Sequence, residues 1–245
     1  MLLWAALFLA LLLSGPLWTI ASGRAPFQGD WRTASHSATG LAPDPAVAKE
    51  AIVQVYAARA FGWRGAFGVH TWLAAKAKGD DHYTRYEVIG WYAMRGQSAL
   101  SIANRQAPDA EWFGARPTLL ADVRGPEAEH VIAALPRAVA TYPYADTYRV
   151  WPGPNSNTFV AHLGREIPEL HLTLPSIALG KDYLPWGEFV ARTPSGSGYQ
   201  FSLGGLVGVA AARDEGFELN VLGLVVGLDV RHPAVKVPGI GRLPV

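Results

Sequence analysis

Residues 2–13 are apolar without exception, and with Ser14, Gly15 and Pro16 tolerated the run extends through Leu17, Trp18 and Ile20. A helix apolar on every side has no face to give to water, so this segment belongs to a core, a bilayer or a targeting signal. Spanning a bilayer takes about 20 apolar residues, which the run just supplies. A secretory signal has a shorter apolar core followed by small residues, and Ala21-Ser22-Gly23 provides those. No Lys or Arg precedes the run and Arg24 follows it, so flanking charge gives little guidance on orientation. Residues 1–21 are expected to be a cleaved signal or a membrane anchor. The rest of the chain is then an inner-membrane-anchored or periplasmic protein of the cell envelope, meeting the membrane through this segment.

Residues 22–46 are rich in Ser, Gly, Ala and Pro without a period, and read as a flexible linker. Residues 47–245 read as a single α+β domain, an antiparallel sheet with packed helices. Strands are expected over 52–59, 67–76, 83–91 and 117–123. Gly125-Pro126 opens a helix whose stripe is Val131, Ile132, Leu135 and Val139, with a kink or break at Pro136. The run Pro152-Gly153-Pro154-Asn155-Ser156-Asn157-Thr158 leads into a short helix with Phe159, Val160 and Leu163 on one side, closed by Gly164. Two glycine-interrupted apolar runs, 199–212 and 217–230, flank Arg213-Asp214-Glu215-Gly216. They are expected to form a Gly-rich C-terminal β-hairpin (198–232) that must be covered, by the rest of the domain in the first place and otherwise by a membrane surface.

The chemistry is narrowed by what is missing. With 21 Lys plus Arg against 20 acids, no net field favours nucleic acid. The chain has no cysteine, which excludes disulfides, thiolate metal sites and cysteine nucleophiles. Its seven histidines show no metal spacing, and there is no phosphate loop, nucleotide fingerprint or G-x-S-x-G elbow, so neither cofactor nor metal is expected. What remains is His70, early on a strand, and Ser156, where a loop enters a helix. Unpaired N–H groups at a helix start favour an oxyanion, and an imidazole can take a serine's proton. Ser156 or Asn155 can equally be a plain N-cap, and His70 a core residue beside Trp72.

The segments VQVYAARAFGWRGAFGVHTWLAAK, RYEVIGW, WPGPNSNTFVAHLGREIPELHLTLPSIALGKDY and NVLGLVVGLDVRHPAVKVPGIGRLPV resemble the bacterial domain of unknown function 3750 family, whose name implies no activity. A more distant resemblance is to the circularly permuted NlpC-like papain fold, which includes lecithin retinol acyltransferase. There the nucleophile motif Asn-Cys-Glu-His-Phe-Val is similar to Asn155-Ser156-Asn157-Thr158-Phe159-Val160, with serine replacing cysteine. The strand motif His-Trp-Ala-Ile-Tyr is similar to His70-Thr71-Trp72-Leu73-Ala74. This resemblance implies a permuted papain-like fold with Ser156 as nucleophile and His70 as base. Glu87 or Tyr86 is the candidate partner on the returning strand, with Asn155, Asn157 and Trp151 as supporting residues. Two functions stay open: a serine-dependent acyl or amide hydrolase or transferase, and a non-catalytic envelope domain that binds lipid, glycan or protein.

Overall fold

In the computed structural model, residues 2–25 and 29–245 are described; residues 26–28 of the expected linker lie outside them. The apolar run forms helix α1, Leu2–Ala21. Leu12, Gly15, Pro16 and Thr19 fall at helical spacing, and this side is buried against the body. Thr19 Oγ1 donates to the Gly239 carbonyl at 3.1 Å, and a Cβ on Gly15 would lie 1.9 Å from the Pro238 carbonyl oxygen, so glycine is required there. The other sides stay exposed, including Trp4 at 75% and Leu11 at 64%. Among the described residues no helix is long and apolar enough to cross a membrane. The apolar run thus forms a helix docked along one side.

Two antiparallel sheets make up the rest, confirming the α+β class. The first has five strands in the order β4-β3-β2-β1-β5: β1 Ile52–Arg59, β2 Val69–Lys76, β3 Thr84–Val88, β4 Leu100–Ala103 and β5 Thr118–Arg124. β1 and β2 are covered on both faces, which is why neither alternates cleanly. One face, with Val53, Val55 and Leu73, packs on α3 (Gly125–Ala140) and α4 (Ser156–Glu166). The other, with Tyr56, Trp72 and Trp112, forms a second aromatic core. Four expectations are corrected. β4 was not foreseen, being a short edge strand with little pattern. β3 stops at Val88 because Gly90–Ala93 turns as a one-turn helix, α2, where the Tyr148 ring leaves no room for a side chain on Gly90. Of the kink or break expected at Pro136, the break is absent: α3 runs on to Ala140 with the proline on its exposed side. Gly164 lies inside α4 rather than ending it: a Cβ there would come within 2.6 Å of the Pro194 carbonyl oxygen.

The expected hairpin is a meander. β6 Val190–Arg192, β7 Gly198–Leu203, β8 Val207–Ala212, β9 Gly216–Val221, β10 Leu224–Asp229, β11 Ala234–Val237 and β12 Gly241–Pro244 pair in sequence order as a seven-stranded sheet. Each apolar run holds two strands, turned at Gly204-Gly205 and at Leu222-Gly223, where φ is positive. The face turned inward is largely polar: Gln200, Ser202, Glu218, Asn220 and Lys236 are buried. Cover by the rest of the molecule thus reaches the polar face, and the apolar face looks outward. Against this polar face Lys181 donates to Asp182 at 2.7 Å and to Glu218 at 2.6 Å, and Lys236 donates to the other oxygen of Glu218 at 2.6 Å. The stretch read as a linker is pinned at its end. The Asp109 carboxylate accepts from the N–H groups of Thr39, Leu41 and Ala42.

Candidate functional site

Strands β2 and β3 pair only from Leu73↔Tyr86 to Ala75↔Thr84. Beyond that ladder they part, and a cavity of about 1510 Å³ opens at their ends. Its walls include His70 and Glu87 from the strands, Asn155, Ser156 and Asn157 from the start of α4, and Trp151 from the loop before it. Six of the seven residues singled out from the sequence therefore line one cavity, Tyr86 being the exception.

Alternation along β2 puts His70 and Trp72 on one face and Thr71 on the other. On the His70 face, Glu87 Oε2 lies 3.2 Å from His70 Nε2 and accepts from Arg85 Nη2 at 2.9 Å. Tyr86 points to the opposite core and is no partner. The three charged or titratable groups are nearly shut off from solvent. The His70 ring stacks on Trp112 with centroids 3.6 Å apart, and Arg85 lies over Trp72 at 4.6 Å. Burial pushes the His70 pKa down, against the raising pull of Glu87, so the imidazole is neutral near pH 7. Burial alone would push Glu87 up, but the His70 hydrogen bond and the Arg85 charge together hold it below the ordinary carboxylate value. An ionised Glu87 only accepts, so Nε2 carries the proton and Nδ1 keeps its lone pair.

Helix α4 starts with Asn155 as its N-cap. The Asn155 side chain accepts from Asn157 N at 2.9 Å and Thr158 N at 3.3 Å, and Thr158 Oγ1 closes the capping box by accepting from Asn155 N at 3.1 Å. Asn155 also donates to the carbonyls of Val150 and Leu179. Gly180 is forced by this packing: its φ is +92° and a Cβ would meet Asn155 Nδ2 at 2.4 Å. Asn157 ties α4 to β2, donating to the Val69 carbonyl at 2.9 Å while Thr71 Oγ1 donates to its Oδ1 at 2.9 Å. Ser156 is consequently the first helical residue, not the cap. Among the described residues its hydroxyl and its N–H have no hydrogen-bond partner, although the residue is 3% exposed. No hydrogen bond joins it to His70 either. The amides of Asn157 and Thr158, expected to favour a serine anion, are taken by the cap.

Trp151 serves the rim: its indole N–H donates to the Leu222 carbonyl at 2.9 Å, bringing the β9–β10 turn to the cavity. Arg85 and Trp112 were missed by the sequence reading. Arg85 had a signal, two residues before Glu87 on the same strand face; Trp112, in an irregular segment, had none. Among the described residues no group of three or more His, Asp or Glu side chains converges as a metal site.

No curated protein and no solved structure matches the chain. A protein-family model described as "Protein of unknown function (DUF3750)" matches residues 50–183. That range contains His70, Glu87 and Ser156 and stops before the seven-stranded sheet, so the C-terminal segment with the same resemblance lies outside it. Matched over more than half of its length, the chain belongs to the DUF3750 family.

Proposed function

We propose that the cavity is the active site of a serine-dependent acyl or amide hydrolase or transferase of the cell envelope, built as a permuted papain-like domain. The observation that supports it is a pairing of opposites in one cavity: a neutral His70 whose Nε2 is held by Glu87, and a Ser156 hydroxyl; among the described residues His70 Nδ1 and Ser156 Oγ have no hydrogen-bond partner. Ser156 Oγ attacks the carbonyl carbon of an ester or amide while its proton passes to His70 Nδ1 by way of water in the cavity. The Ser156 N–H stabilises the resulting oxyanion. His70 then returns the proton to the departing alcohol or amine, and water or an acceptor alcohol or amine releases the acyl group from Ser156. Glu87 stabilises the transient imidazolium and fixes its tautomer, as a carboxylate behind a catalytic histidine does.

A second reading, an envelope domain that binds lipid, glycan or protein without reaction, draws on the His70–Trp112 stack, which holds the imidazole as a wall residue. A fluorophosphonate probe separates the two. The active-site reading expects covalent labelling that Ser156→Ala and His70→Ala each abolish, with the Ser156→Ala unfolding midpoint unmoved. Folded wild-type protein that never labels would leave the binding reading.

A further inference from the structure

We propose that the outward face of the seven-stranded sheet rests on a lipid bilayer, alongside α1. This extends the membrane contact expected of the N-terminal segment to a surface more than 170 residues away in the chain. The register places Tyr199, Phe201, Val209, Phe217, Leu228 and Val235 together on one face, all exposed. From β7 to β12 no outward position carries a charge or an amide; the polar residues of these strands all point inward. This inverts the usual pattern for an antiparallel sheet that shows one face to water. An apolar surface so large on a folded chain marks an interface.

Continuity with α1 selects lipid as the occupant. Val237 shares the outward side of β11, and its Cγ1 would lie 3.2 Å from a Cβ on Gly15 of α1. The sheet face thus runs directly into a helix whose exposed sides are also apolar. Helix residues apolar all round and outside a core suit hydrocarbon better than a protein partner, whose interface carries a polar rim. Arg192, over the Tyr199 ring at 5.6 Å, sits at the margin where a snorkelling cation belongs.

Because the chain has no cysteine, single substitutions carry a nitroxide label at chosen points. Full-length Phe217→Cys, Val209→Cys, Leu7→Cys and, as a water-facing control, Lys78→Cys are labelled and mixed with vesicles of phosphatidylcholine and phosphatidylglycerol. The proposal expects labels at 217, 209 and 7 to shift from collision with a water-soluble nickel chelate to collision with oxygen, while 78 does not shift. A label at 7 in lipid with 217 and 209 still open to nickel overturns the sheet proposal and leaves the helix contact standing. Protection of 217 and 209 without vesicles, rising with protein concentration, overturns it in favour of a second copy of the chain.

Discussion

Burial sets what His70 can do at a given pH. Its pKa lies below the ordinary 6.5, so the unfolded chain takes up the proton more readily than the folded one. Stability from this residue is complete above about pH 6.5 and is lost as pH falls through the folded value. Glu87 adds to the same trend at lower pH, since its depressed pKa gives stability present above the ordinary 4.5 and lost on further acidification. Labelling of Ser156 should therefore rise with pH to a plateau, with a midpoint below 6.5 that follows the neutral imidazole. A midpoint above 6.5 would show that His70 is not the base. Glu87→Gln strands the buried Arg85 guanidinium and should cost about 3–5 kcal/mol by chemical denaturation, partly recovered by adding Arg85→Met. Part of this trio was legible: with His70 on β2, a partner at the end of the ladder on β3, Tyr86 or Glu87, was foreseeable. The choice between Tyr86 and Glu87 required the pairing register itself, which a one-residue slip would reverse.

At the scale of the element, the start of α4 carries the site, and its stability and its chemistry are assigned to different residues. Asn155 satisfies two amides and two carbonyls, so Asn155→Ala should cost about 2 kcal/mol, the upper end for a lost cap. Ser156→Ala removes a hydroxyl that bonds nothing among the described residues and should stay within about 0.5 kcal/mol of wild type. Equal costs for the two in parallel denaturant titrations would mean that Ser156 shares the cap. The run Trp151-Pro152-Gly153-Pro154-Asn155-Ser156-Asn157-Thr158 announced a helix start plainly, because Asn and Ser before an apolar stripe have few other uses. It did not tell which of the two caps, a matter of one residue of backbone geometry. The helix ends were less legible. Pro136 and Gly164 are helix breakers by propensity, yet one faces water and the other meets the Pro194 carbonyl, and tertiary packing overrides propensity in both places.

Across the whole molecule, a buried ion cluster ties the meander to the segment that follows α4. The apolar, glycine-interrupted runs of 198–232 announced strands, but composition does not say which face of a sheet is inside. Cover was expected for the hairpin as a whole, and it is the polar set that the rest of the molecule covers. Lys181, between the cavity side and the meander, bonds Asp182 and Glu218, and Glu218 holds Lys236 with its second oxygen. Burial pushes the Lys181 pKa down, but the adjoining Asp182 and Glu218 more than reverse it and keep the ammonium charged. Burial likewise pushes Glu218 up, and the two lysines outweigh it and hold the carboxyl below its ordinary value. Glu218→Gln leaves two buried cations with too little countercharge, so it should destabilise by about 3–5 kcal/mol. Buried charges are poorly screened, so added salt should not mimic the substitution. Replacing all three groups at once, Lys181→Met with Glu218→Leu and Lys236→Met, removes the desolvation penalty together with the attraction and should recover most of the loss. Denaturant titrations of the single and triple variants decide the matter. A Glu218→Gln protein as stable as wild type would mean that the meander is held by its backbone turns and by Trp151, not by the buried ion cluster.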